Sequence, residues 1–204
     1  MNFKMIKTMI IFLKYIISLS NYRFVILNKL LFKYKKISFS TFPSIRGKIN
    51  IFGQGKIYFG KGVKINSSPN ANPIGGDTRT VLKVNRGANI KIGDYTGISN
   101  STIVCFNKII IGDYVKIGNS VKIYDTDFHT LNFEERKNSN TDVGNTKPVV
   151  IGNHCFIGAH SIILKGVTIG DKSIVAAGSV VTKSIPSGEI WGGNPATFIR
   201  KIKN

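Results

Sequence analysis

Acidic residues are scarce in this 204-residue chain: 10 Asp and Glu stand against 29 Lys and Arg, a net charge of +19. The first of them is Asp77, so everything before it carries positive charge only. Such a field favours an anionic partner, whether an acidic membrane surface, a phosphorylated ligand or nucleic acid. Charge alone does not choose among these, and a merely solvated lysine-rich surface is the plain alternative. Cysteine is nearly absent. Cys105 and Cys155 lie far apart with no Cys-x-x-Cys neighbour, which leaves a disulfide framework and a zinc knuckle poorly supported and makes a reducing cytoplasm the simplest setting. Proline stops at 6 while glycine reaches 21, the balance of many tight turns in a regular protein rather than of flexible linkers. Apolar content is an ordinary 42%, which suggests neither disorder nor a multi-pass membrane protein. The length suits one domain with a small appendage.

Long charge-free runs are missing as well. Nothing in residues 1–36 approaches the roughly 20 apolar residues of a spanning helix, and Lys14 interrupts what would be the apolar region of a signal peptide. At helical spacing, Lys4, Lys7, Thr8, Lys14, Ser18 and Asn21 share one side, while Met5, Ile6, Met9, Phe12, Leu13, Ile16 and Ile17 fall largely opposite. Residues 1–40 are therefore expected to form a basic amphipathic helical segment, and residues 45–204 the main domain with a C-terminal tail. The segment has two readings: a peripheral anchor on an anionic membrane, or a helix packed on the domain or on a neighbouring subunit.

What is present in abundance is a period of six. From Ile151 the chain reads IGNHCF, IGAHSI, ILKGVT, IGDKSI, VAAGSV, VTKSIP. The first positions are Ile151, Ile157, Ile163, Ile169, Val175 and Val181, and Cys155, Ser161, Val167, Ser173 and Ser179 recur four residues on. Neither a helix nor a simple alternating strand has this period. A prism-shaped coil does: each hexad makes one short strand and one turn, three hexads close a coil, and stacked coils pair in parallel. The pattern reads earlier as Ile92, Ile98, Val104, then after a seven-residue step Ile111, Ile117 and Ile123, with Phe59 and Ile65 before a polar excursion over 67–80. The next first position falls at His129, and the repeat then lapses over 132–147, which predicts an extended loop leaving the coil beside a histidine. Asp127 and Asp125 precede it by two and four residues, one face of an extended chain.

These hexads resemble those of the hexapeptide-repeat acyltransferases, the left-handed parallel β-helix family of maltose, galactoside and many surface-polysaccharide acetyltransferases, over roughly residues 49–200. The resemblance implies an all-β, left-handed β-helix and transfer of an acetyl group from acetyl-CoA to a sugar or glycan hydroxyl, with no metal. It makes His129 the general base, a role that suits an imidazole, whose ordinary pKa lies near ~6.5. Asp127 is the expected orienting carboxylate and Asp125 an acceptor contact, the reverse assignment staying open, and Asn100 is a further acceptor contact. By the same resemblance Gly158 and Ala159 border the thioester, Ala177, Thr182 and Lys183 line the rest of the CoA, and Lys183 and Arg200 suit its phosphates. Thr197 stands where the family sometimes has a second basic residue. A homotrimer is implied, with sites between adjacent prisms, in the cytoplasm, with the 1–36 segment as the candidate contact to the inner face of the membrane.

Three alternatives belong beside this reading. N-acetylation of an amino-sugar nucleotide would use the same base and donor. A γ-type carbonic anhydrase shares the fold and binds zinc through three histidines at subunit interfaces; this chain has 3, but spaced unlike that family's. Nucleic-acid binding is prompted by the charge alone and is not expected, since no recognised motif accompanies it.

Overall fold

A computed structural model describes residue 7, residues 22–72, residue 74 and residues 78–203. Among the described residues twenty strands, from β1 (Ser38–Phe39) to β20 (Ala196–Lys201), are dealt in turn to three sheets of six, eight and six strands, so the chain winds as a three-sided, left-handed parallel β-helix. The first coil is β1, β2 (Ser44–Gly47) and β3 (Asn50–Gly53), and each later coil pairs in parallel with the one before it.

Side-chain identity explains the winding. One inward row per sheet runs the length of the prism: Phe59, Ile92, Ile111, Ile151, Ile169 in the first; Ile65, Ile98, Ile117, Ile157, Val175 in the second; Leu82, Ile103, Ile123, Ile163, Val181 in the third. None is more than 3% exposed. β-branched chains stack well on a parallel pleat, and full burial of each stabilises the fold by about 1.5 to 3 kcal/mol. The small residues of the hexads, Cys155, Ser161, Ser173 and Ser179, are buried beside these rows.

The winding departs from the sequence reading in one register. The residue that continues the third row is Ile103, not Val104; Val104 lies opposite Tyr124 on the outward side and is nonetheless covered. From Ile98 to Ile103 is five residues, one short of the hexad, and from Ile103 to Ile111 is eight, two over it, so the turn at 106–107 carries the extra length.

The edge between the first and second sheets repeats a motif: Gly93-Asp94-Tyr95, Gly112-Asp113-Tyr114, Gly152-Asn153-His154 and Gly170-Asp171-Lys172. Each acidic or amide side chain accepts from the backbone N–H of its counterpart one coil earlier, Asp113 Oδ1 from Asp94 N, Asn153 Oδ1 from Asp113 N and Asp171 Oδ1 from Asn153 N, at 2.7 to 2.8 Å. A Cβ on Gly93 would stand 2.3 Å from the Asp113 Oδ1, so only glycine admits the carboxylate. The third residue of each motif has φ of 54 to 62°, and Tyr95, Tyr114 and His154 stack at 5.0 Å spacing.

Both ends of the prism are closed. Residues 22–34 are helical and lie across the first coil. Phe32, 2% exposed, packs on Phe59 and Phe42 at 5.5 and 5.1 Å, and the Asn28 amide donates to Gly47 O while its carbonyl accepts from Ile49 N. For this stretch the packed reading of the N-terminal segment holds. The amphipathic face proposed for residues 4–21 lies outside the described residues except for Lys7. Among the described residues no helix is long and apolar enough to cross a membrane. At the far end, β19 (Glu189–Gly193) pairs in parallel with the coil and β20 turns back antiparallel upon it.

Candidate active site

The predicted loop exists, but it leaves the coil earlier than the lapse in the repeat implied. β12 (Lys122–Tyr124) ends at Tyr124 and β13 (Val149–Ile151) resumes the first sheet. Between them the chain runs out and back as a hairpin: Thr126 pairs antiparallel with Thr146, Asp127 N donates to Asn145 O, and Lys147 N donates to Asp125 O. His129 therefore stands on the loop and not on a rung of the prism. The rung position it was assigned in the repeat is filled by the strand that follows the loop.

The loop is tied into one shape by its own polar groups. Asn132 caps the short helix Phe133–Arg136 by accepting from Glu134 N. The Thr130 hydroxyl donates to Glu135 Oε2, and Arg136 donates to Thr130 O. Phe128, at φ 67°, sets its ring edge-on to Tyr124 and Phe106. Gly144 lies against the backbone of His129 itself: a Cβ there would come within 2.7 Å of Phe128 and 2.8 Å of His129 N.

His129 has a carboxylate partner, and it is Asp142. Its Nδ1 lies 2.6 Å from Asp142 Oδ2, while the other Asp142 oxygen accepts from Thr130 N at 3.0 Å. The hydrogen bond with His129 holds the Asp142 carboxyl below its ordinary range against a smaller desolvation effect, with lesser help from the Thr130 amide and the Arg136 charge. A charged carboxylate on Nδ1 makes that nitrogen the N–H donor and leaves Nε2 with its lone pair. The His129 side chain is 66% exposed and Asp142 15%, so Nε2 is the open end of the pair.

Neither aspartate named from the sequence touches the imidazole. Asp127 pairs with Lys165 at 3.3 Å, which gives it a partner on the next coil. Asp125 is fully buried and accepts from the amides of Phe106, Asn107 and Lys108 at 2.7 to 2.8 Å, with the Cys105 thiol at 3.3 Å. It holds a turn and has no surface to offer an acceptor. Asn100 is also fully buried, at φ 44°, with its amide donating to Ser68 O; it braces the 67–80 excursion. The alternation that put Asp127 and Asp125 on the histidine's face assumed an extended chain, and the turn at Phe128 breaks it.

The remaining candidates divide between two edges of the prism. His129, Thr182 and Lys183 lie where the third sheet passes to the first; Asn100, Gly158, Ala159 and Ala177 lie where the second passes to the third. Arg200 is on exposed β20. Along the second of these edges the coils approach closely: a Cβ on Gly158 would stand 2.4 Å from Ala177 N. Gly158 N donates to Val175 O, and among the described residues the Ala159 amide has no acceptor. Thr182, Lys183 and Ala177 are exposed.

His154 and His160 stand on the other two edges, His154 stacked on Tyr114 and His160 at φ 62°. The three histidines thus occupy three different edges, and among the described residues no group of three or more His, Cys, Asp or Glu could hold a metal ion. The two thiols are buried. Burial first, then the Asp125 charge, pushes Cys105 up to about 12, and burial pushes Cys155 up to about 11. Native protein treated with a disulfide reagent at neutral pH is expected to release no colour, and two thiols per chain only after unfolding. Fast reaction in the native state would mean that one of these coils opens.

Known proteins bear out the hexad reading. A model of the hexapeptide repeat of succinyl-transferase matches residues 148–183. Nodulation protein L of Rhizobium leguminosarum bv. viciae is 45% identical over 60% of this chain and 63% of its own length, and the galactoside O-acetyltransferase of Escherichia coli 41% over 58% and 57%. A hexapeptide-repeat acetyltransferase of Vibrio cholerae, solved with acetyl coenzyme A, superposes with a TM-score of 0.52 at 39% identity over 56% of this chain and 61% of that one. The repeat is shared more widely: a mitochondrial γ carbonic anhydrase of Arabidopsis thaliana is 32% identical over 56% of this chain and 37% of its own. The chain thus spans about 60% of the length of the curated relatives it matches first.

Proposed function

We propose, for a chain whose repeat, coil and relatives are those of the hexapeptide-repeat acetyltransferases, that it transfers an acetyl group from acetyl-CoA to a hydroxyl of a sugar or glycan, with His129 as general base and Asp142 as the residue that positions it. The observation that carries this reading is the 2.6 Å contact between Asp142 and Nδ1 of an otherwise exposed imidazole. Nε2 takes the hydroxyl proton as the oxygen attacks the thioester carbonyl. The Ala159 amide donates to the oxyanion. As the carbon–sulfur bond breaks, the imidazolium returns its proton to the departing thiolate, so the histidine ends neutral and no bond to the protein is made.

Two features fit the donor. The Gly158–Ala177 contact leaves a stretch of that edge with only small side chains, where a ligand can lie close to backbone. Lys183 and Arg200, both exposed, would meet the CoA phosphates by charge-assisted hydrogen bonds. Because His129 and the Gly158–Ala159–Ala177 track lie on different edges of one prism, a complete site needs a second copy of the chain. We therefore take the active form to be a homotrimer, with the base from one protomer and the donor track from its neighbour, in the cytoplasm and, through residues of the 1–36 segment other than the packed Asn28 and Phe32, at the inner face of the membrane.

Incubation with acetyl-CoA and a panel of neutral and amino sugars, read by mass spectrometry, tests the chemistry. An acetylated product that loses its acetyl group in mild alkali is the expected result. A product stable to alkali would turn the reading to N-acetylation, and release of CoA at the same rate with and without acceptor would reject transfer.

A further inference from the structure

The edge that carries His129 also carries a basic groove, two to three coils nearer the N-terminal helix. It has a volume of about 880 Å³, and Lys35, Lys36, Lys56 and Lys91 line it with Tyr58 and Asn89. No acidic residue lines it. Lys35 is fixed there by donating to Gly53 O at 2.9 Å, and Tyr58 by its hydroxyl contact with Ser40 at 2.6 Å. Lys56 and Asn89 lie in register on adjacent coils, as do Tyr58 and Lys91.

Between this groove and His129 lie further basic and aromatic side chains. Lys83 of the third sheet lies 5.6 Å over the Phe106 ring, Phe106 meets Phe128 edge-on at 6.1 Å, and Phe128 precedes His129 in the chain. With coils about 4.8 Å apart, the groove lies roughly 10 to 14 Å from the turn on which His129 stands. The acids near the far end of this path are engaged: Asp142 with His129, Asp127 with Lys165, Asp125 with three amides. The groove itself, with four lysines in its lining, is positive, which favours an anion lying in it.

We infer that the acceptor is anionic, and that its negative charge is held by the Lys35, Lys36, Lys56 and Lys91 groove while one of its hydroxyls reaches Nε2 of His129. This rests on the acetyltransferase reading and adds to it the class of acceptor. The charge can be carryied by carboxylates along a glycan or by a phosphate at its reducing end; both meet the ammonium groups in the same way. The donor's own phosphates are assigned elsewhere, to Lys183 and Arg200, on the opposite side of His129 along the prism.

Binding is measured first, in the His129→Ala protein so that nothing turns over, using hexagalacturonate, UDP-N-acetylglucosamine and neutral maltohexaose as probes. One or both anionic probes are expected to bind and maltohexaose not. Hexagalacturonate alone would point to carboxylates along the chain, and the nucleotide sugar alone to the phosphate. Lys56→Gln with Lys91→Gln should weaken the anionic probe about tenfold or more, the loss of two charge-assisted contacts, with an unchanged urea midpoint. In the protein with His129 intact, the same pair should raise the acceptor KM with kcat and the acetyl-CoA KM unchanged.

Three results overturn the inference: no binding of either anion, equal binding of maltohexaose, or an effect of the lysine pair on acetyl-CoA instead of acceptor. Anion binding that depends on these lysines without any acetyl transfer would leave the groove standing and reject the acetyltransferase reading alone.

Discussion

Replacing His129 by alanine is expected to lower kcat for acetyl transfer by about 10² to 10⁴, the range of a lost general base, with the acetyl-CoA KM little changed. Asp142→Asn gives the sharper readout. The carboxylate fixes the N–H on Nδ1, and an amide can instead donate to that nitrogen, which moves the proton to Nε2 and removes the base without removing the ring. A fall in kcat of about 10² or more is expected, since misplacing a catalytic histidine's tautomer is costly even when geometry is kept. Stopped assays of CoA release with saturating acceptor measure both. If Asp142→Asn is silent while His129→Ala is dead, the carboxylate only braces the loop. If His129→Ala retains full activity, the base lies elsewhere.

The largest loss of stability is expected at Asp125. Its buried carboxylate is the acceptor for three consecutive amides and sits beside a buried thiol, a concave nest of N–H groups built for an anion. Asp125→Ala strands those donors away from water, where each unsatisfied group costs on the order of 1 to 3 kcal/mol. A loss of about 3 to 5 kcal/mol is expected, read as a lower urea midpoint at fixed protein concentration. Asp125→Asn should lie between, because its carbonyl still accepts while its NH₂ opposes a donor. A shift within 0.5 kcal/mol for Asp125→Ala would mean that the turn rearranges and that the nest does not hold it.

The sequence disclosed the coil because each inward row needs one kind of side chain at each step, so six-residue spacing survives in the letters. It blurred where two aliphatics adjoin. Ile103 and Val104 both fit a strand, and only pairing with Ile123 and Tyr124 on the next coil decides which faces in. The site was less legible than the fold for a related reason. His129 stood out by breaking the repeat, but its partner is 13 residues further on, brought back by a hairpin whose pairing of Thr126 with Thr146 has no local signature. Asp127 and Asp125 looked like partners because an extended chain was assumed between them and the histidine; the left-handed Phe128 turns that chain away. Gly144, which lies against the His129 backbone, gave only a glycine in a polar loop.

The closed ends of the prism bear on more than shape. A stack of parallel coils offers unpaired amides and carbonyls at each end, and any similar coil, including one from another molecule, can extend the ladder without limit. Here one end is sealed by a helix that plugs the first coil with Phe32 and Asn28, and the other by β20, which runs the wrong way to template a further turn. The architecture that stacks its own coils so readily is thereby hindered from adding a neighbour's coil at these two places.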